Sequence, residues 1–208
     1  MSFLLDLLVS TVTQGLIYGL LACGVYITYR ILDFPDLTVD GSFPFGAAVT
    51  AVLLSRGFNP YLALLVSALA GALAGFITGV IHVRFRIRDL LSGIISMTAL
   101  FSVNLKLAGS NLILERDTAT IFSSGLTDTL LGSLPLIYRK AIVAHVLAHV
   151  VKIVLDVFFR TKCGLLLRAT GNNASVVTTL ARDSGAMKIL GLTIANALVA
   201  LGGSVICQ

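Results

Sequence analysis

Three groups of residues could do chemistry in this chain. The first is the segment Leu32-Asp-Phe-Pro-Asp-Leu-Thr-Val-Asp-Gly-Ser-Phe43, extended by Pro44 and Gly46. It sets Asp33, Asp36 and Asp40 beside two prolines and two glycines, next to an apolar run too short to span a membrane comfortably. Proline removes a helical donor and clashes with the preceding turn. Broken backbone at membrane depth survives only where protein buries it or a water-filled cavity faces it, and discontinuous helices are where transporters place their pathways. Two readings stay open: a broken helix lining a pathway, or a solvated link in which Thr38 or Asp40 caps the following helix.

The second group is His145, His149, Lys152 and Asp156, spaced four, three and four apart and so on one helical face. Ionisable groups inside a membrane are functional candidates, but Lys152 can snorkel and can pair with Asp156. Packing against another polar helix or subunit is the favoured reading. Two histidines four apart, without the glutamate of a zinc-protease helix, do not make a metal site. The third group lies between residues 160 and 182. There Gly171-Asn172-Asn173 reads as a helix stop followed by an N-cap. A short helix from about Ala174 to Ala181 should follow, with Val176, Val177 and Leu180 as its apolar residues. Such a helix suits docking to a partner; an interfacial helix on the membrane is the alternative.

Other chemistries lack their residues. The chain has no G-x-x-x-x-G-K-[ST] phosphate loop, and no catalytic triad, paired carboxylates or metal-protease constellation on a plausible frame. Cys23, Cys163 and Cys207 are far apart and show no ligand-like or disulfide spacing. Neither catalytic nor metal-ligating residues are assigned.

Composition names the elements that must position these groups. Hydrophobic residues make up 57% of the 208 and charged residues only 12%, against about 25% charged in soluble domains. Such a chain cannot cover a water-facing surface, which removes soluble enzymes and nucleic-acid binders despite a net charge of +5. With about 20 apolar residues per spanning helix, the uncharged runs predict six spans near 7–29, 41–55, 57–83, 90–105, 141–159 and 189–208. The expected fold is an all-α polytopic transmembrane bundle forming one domain. Basic residues concentrate on cytoplasmic links. Arg30, the Arg84–Arg86–Arg88 group and Arg160, Lys162, Arg168, Arg182 and Lys188 fall on one side by parity. The N-terminus is therefore expected outside, with no cleavable signal peptide, an external loop at 106–140 and a cytoplasmic segment at 160–188. Ser67, Gly71, Gly75 and Gly79 form a small-residue stripe that permits close helix packing. Gly15, Gly19 and Cys23 form a weaker one, for which close packing is also expected.

The chain resembles the permease subunits of ATP-binding-cassette importers of the branched-chain amino acid and ribose type. Gln14-Gly-Leu-Ile-Tyr-Gly-Leu-Leu-Ala-Cys-Gly-Val-Tyr-Ile-Thr-Tyr29 is similar to that family's first helix. The Leu32–Phe43 motif resembles a branch of uncharacterised permeases associated with aromatic amino-acid-type binding proteins. Thr120-Ile-Phe-Ser123 and the Arg160–Asn173 segment recur there in the same order. The resemblance implies a transport subunit that binds no cofactor, with ATP and magnesium on a separate ATPase. It implies two permease copies in a lipid bilayer, an external solute-binding protein facing the 106–140 loop, and a prokaryotic cell membrane. Gly171 to Ala181 matches the family's coupling helix, although Ala174 and Ser175 stand where Pro-Glu is usual. Asp36, Thr38, Asp40 and Ser42 match the segment near the pathway. Family members continue for further helices, so the end at Gln208, inside an apolar run, is expected to be a truncation. The alternatives are an ion-coupled secondary transporter or channel and, far behind, a metal-dependent membrane enzyme using His145 and His149.

Overall fold

Helix starts and stops follow local chemistry at several joints. Asn59 caps the third helix by accepting from the Tyr61 amide at 2.9 Å, with Pro60 at the first helical position. Asp183 caps the last helix by accepting from the Gly185 amide at 2.8 Å. In the computed structural model, residues 2–109, 118–132, 134–179 and 183–208 are described. The helices are α1 (Ser2–Tyr26), α2 (Thr38–Ser55), α3 (Pro60–Phe85), α4 (Asp89–Ala108), α5 (Leu126–Leu131), α6 (Leu136–Arg160), α7 (Lys162–Asn172), α8 (Ala174–Thr179) and α9 (Ser184–Cys207). A π-helical turn, Ile27–Ile31, continues α1. No strand occurs among the described residues. Among the described residues, six helices are long and apolar enough to cross a membrane: Leu4–Ile31, Thr38–Ser55, Pro60–Phe85, Asp89–Ala108, Leu136–Arg160 and Ser184–Cys207. The chain is an all-α, multi-pass membrane bundle.

Pro44 does not break its helix. It lies exposed inside α2, which runs unbroken from Thr38 and takes in Asp40. The discontinuity falls earlier, at residues 32–37 between α1 and α2. There Asp33 adopts left-handed backbone at φ 52° and Pro35 follows two residues later. Proline inside a membrane helix is tolerated when its surroundings satisfy the freed backbone.

The bundle is built around α9, which packs on α1, α2, α3 and α7. The contact with α3 shows the inverted pattern of membrane proteins, with small residues inside and large apolar ones outside. Leu65, Leu69 and Leu73 are about 60% exposed, whereas Ser67, Gly71, Gly75 and Gly79 are buried against α9. A methyl group at Gly75 would overlap the Leu192 carbonyl, and one at Gly71 the Asn196 carbonyl. Gly46 of α2 meets the Ala200 carbonyl in the same way, and Gly203 of α9 meets that of Phe43. Lipid tails give no hydrophobic drive between helices, so dispersion and hydrogen bonding at such close approach hold them together. The Ser67 hydroxyl reaches the carbonyls of both Gly46 and Ala200 at 3.1 Å.

The stripe on α1 behaves differently. Gly15 and Gly19 have nothing within 4 Å of a would-be Cβ, so among the described residues they pack against no other helix. The reason is rotational: α1 turns Ile17 and Leu20 toward Val205 and the Ile121–Phe122 turn, leaving the glycine face outward. The pair predicts its own contrast. Gly75→Ala should destabilise the detergent-purified chain by about 1–3 kcal/mol through overpacking, whereas Gly19→Ala should stay within about 0.5 kcal/mol. Thermal unfolding of the two variants measures the difference.

Candidate functional site

The α1–α2 junction carries the densest polar cluster of the described bundle. It begins with the π turn, where Leu32 N–H reaches the Ile27 carbonyl at 3.0 Å and Phe34 N–H reaches that of Thr28 at 2.9 Å. Wide turns of this kind recur at functional sites. Asp36 follows, 3% exposed. Its Oδ1 accepts from the Thr38 amide at 2.8 Å, so Asp36 satisfies the first amide of α2 from just ahead of the N-cap residue Leu37, and neither Thr38 nor Asp40 occupies the cap position. Its Oδ2 accepts from Asn196 Nδ2 at 2.8 Å, across to the middle of α9.

Asn196 is fully buried and every part of its amide is used. Nδ2 also donates to the Leu192 carbonyl at 3.0 Å, and Oδ1 accepts from the Ser42 hydroxyl at 2.6 Å. One amide thereby ties the link to α2 and α9 together. Beside it, the Thr78 hydroxyl of α3 donates to the Ala74 carbonyl at 3.0 Å and accepts from the Thr38 hydroxyl at 3.0 Å. Burial pushes the Asp36 carboxyl above the usual carboxylate range, and the donors from Thr38 and Asn196 pull it back.

Of the four residues placed near a pathway by sequence, the structure brings three together. Asp36, Thr38 and Ser42 face inward against α3 and α9, while Asp40 is exposed on the outer face of α2. Asn196 and Thr78 complete the cluster and escaped the sequence reading. A lone asparagine inside the run Ile189 to Gln208 was the available signal for Asn196.

A second cluster lies below the junction. Phe34 meets the His82 ring edge to face at 5.0 Å. His82 Nδ1 stands 2.8 Å from the Ile87 carbonyl and 3.1 Å from Asp89, and its Nε2 lies 3.2 Å from Lys188 Nζ. These contacts close the basic end of the bundle beneath the link.

In the 160–182 region the expected helix stop followed by an N-cap falls within Gly171-Asn172-Asn173, since α7 ends at Asn172 and α8 begins at Ala174. Gly171 itself lies where a methyl group would overlap the Ile31 carbonyl. Its small size lets α7 rest on the π turn. Asn173 does separate two helices, closing α7 and accepting from the Ser175 amide at 3.1 Å at the start of α8. Val177 is fully buried against the chain, so it anchors α8 and presents nothing outward. Ser175 and Thr178 are exposed. The Val176 side chain and Leu180 lie outside the described residues.

The α6 stripe is exposed along its length. The His145 and His149 rings are 4.3 Å apart. Lys152 and Asp156 line a groove of about 410 Å³ with Cys23, Tyr26, Phe159 and Arg168. Among the described residues no group of three or more metal-ligating side chains comes together.

Together, six apolar helices among the described residues, with close glycine contacts between α2, α3 and α9 and a buried polar junction at one end, make a polytopic membrane bundle. The chain belongs to the family described as the permease component of branched-chain amino acid transport systems, which matches residues 7–208. That family is one of transport components, not of enzymes. Over 201 residues the chain is 39% identical to the tyrosine transport system permease protein of Clostridioides difficile (strain R20291), covering 97% of this chain and 64% of that protein. Over 204 residues it is 33% identical to the uncharacterized protein RP368 of Rickettsia prowazekii (strain Madrid E), covering 98% of this chain and 69% of that one. The chain therefore spans about two thirds of the length of these relatives. No solved structure matches it significantly.

The cluster makes a testable contrast. Thr78→Val leaves the Thr38 hydroxyl without its buried partner and should cost about 1–3 kcal/mol of stability. Asp40→Asn, on the exposed face, should cost less than about 0.5 kcal/mol. Unfolding in detergent, followed by circular dichroism, separates them.

Proposed function

We propose that this chain is the membrane-spanning subunit of an ATP-driven importer that moves an amino acid or a related small polar solute. The family match across residues 7–208 is the observation that carries the reading. The similarity to a tyrosine transport permease favours an aromatic amino acid as cargo. In this reading the N-terminus is external and the basic end, with α7 and α8, faces the cytoplasm of a prokaryotic cell membrane, in line with the distribution of arginine and lysine. Two separate ATPase subunits, which carry ATP and magnesium, dock on the α7–α8 segment. A second permease copy completes the pathway, and an external binding protein delivers solute to the 106–140 face.

The exposed surfaces divide the labour. Among the described side chains of α8, Ser175 and Thr178 are exposed to an ATPase, whereas buried Val177 holds α8 in place. Asp40 is the carboxylate of the α2 segment that a solute can reach, and it can attract an ammonium group. Asp36, held by two donors inside the bundle, is not free to do so.

Two measurements test this. Affinity purification of the tagged protein from its host should recover a phosphate-loop ATPase. Thr178→Arg should reduce that recovery about tenfold while leaving unfolding unchanged, by placing a bulky charge on the docking face. Proteoliposomes with the ATPase, supplied with the binding protein, should take up labelled L-tyrosine only with ATP, and Asp40→Asn should slow uptake about tenfold. Uptake driven by a proton or sodium gradient, with no ATPase recovered, would establish the ion-coupled alternative.

A further inference from the structure

The junction at residues 32–37 is touched by α4, through Gly93 against Leu37, and by three further helices. From below, α7 rests on it: Gly171 lies against the carbonyl of Ile31, and Leu167 is fully buried in one apolar cluster with Ile27, Ile31, Leu32 and Phe34. From α3, Thr78 bonds Thr38. From α9, Asn196 bonds both Asp36 and Ser42. Of these contacts, the Asn196 amide alone bridges the link, α2 and α9 at once. A buried amide with donor and acceptor both engaged resists sliding in either direction, since any displacement leaves a buried polar atom unpaired. Packing by Leu167 is apolar and tolerates small slips, whereas the Asn196 bonds do not.

We infer that Asn196 is a positioning residue for transport. It clamps the α1–α2 junction to α9, so that displacement of α7 against Ile31 moves α2 and α9 as one body. This rests on the permease reading, because α7 is displaced only if an ATPase engages the α7–α8 segment. The clamp acts through Asp36 and Ser42 and makes no contact with solute. Its loss should lower the maximal rate of uptake and leave the apparent affinity for solute unchanged, unlike the loss of a pathway group such as Asp40.

The test exploits the chemistry of the pair. Asn196→Asp sets two carboxylates face to face. Asp36→Asn combined with Asn196→Asp exchanges donor and acceptor between the two side chains: Asn at 36 can still accept from the Thr38 amide and now donates to Asp at 196, which still accepts from Ser42, while the bond to the Leu192 carbonyl is lost in the exchanged pair as in Asn196→Asp alone. Asn196→Leu removes the clamp at similar size. Hydrogen exchange of the purified chain in detergent reads the clamp directly at the Phe34 and Thr38 amides. Uptake of labelled L-tyrosine by proteoliposomes containing the ATPase and supplied with the binding protein reads the transport role.

Both single variants should speed exchange at the two amides about tenfold and lower maximal uptake about tenfold with KM unchanged. The exchanged pair should restore both readings to near wild type. The clamp is overturned if the single variants leave exchange unaltered, or if the exchanged pair, folded as judged by its unfolding temperature, remains as defective as Asn196→Asp. If exchange follows the expected pattern but KM alone changes, Asn196 does not act by positioning. If wild-type protein shows no ATP-driven uptake while exchange behaves as stated, the permease reading fails and the clamp survives as a structural feature alone.

Discussion

The close approach of α9 to its neighbours is the constraint on which the rest of the bundle depends. In lipid, helices gain little by hiding leucine from leucine, so association relies on dispersion and on hydrogen bonds at short range. Gly46, Gly71, Gly75 and Gly203 remove the side chains that would keep the backbones of α2, α3 and α9 apart. At that separation short hydroxyls suffice to reach across. Ser204 donates to Thr50 at 2.5 Å, Thr50 donates to the Gly46 carbonyl at 2.9 Å, and Ser67 spans Gly46 and Ala200. The same proximity lets one asparagine reach both Asp36 and Ser42.

The polar junction follows from this packing. A carboxylate buried in a membrane protein is expensive unless its oxygens are satisfied. Asp36 meets that demand with a backbone donor from its own turn and a side-chain donor from a helix 160 residues away in sequence. The irregular backbone around Asp33 and Pro35 is shielded by Phe34 and Leu32, both almost fully buried. The link is thus a well-held corner, closed below by His82, Asp89 and Lys188 and supported by α7. Its position between the α7–α8 segment and α2 gives it mechanical interest, because a rigid corner transmits displacement where a loose loop would absorb it.

The α1 glycine face and the α6 stripe of His145, His149, Lys152 and Asp156 both face outward. The α6 stripe carries ionisable groups, which inside membranes face protein or water, and the small residues of α1 suit close approach of another helix. The second permease copy proposed above would serve both.

Composition and hydropathy determined the class of fold, because about 20 apolar residues per span is a one-dimensional requirement. The small-residue face of α3 was legible for the same reason: a repeat of about four residues fixes one helical face without knowledge of the partner. The polar residues of the junction were visible as types, but not their directions. Thr38 and Asp40 are two residues apart, and a helical turn sends one inward and the other outward. Only the tertiary structure decided that Asp36 holds the first amide of α2, that Gly171 supports a π turn and that Val177 faces inward. Asn196 was the extreme case. Its meaning lies in groups 154 and 160 residues away, and local sequence carries no information about which distant backbone will come within hydrogen-bonding reach.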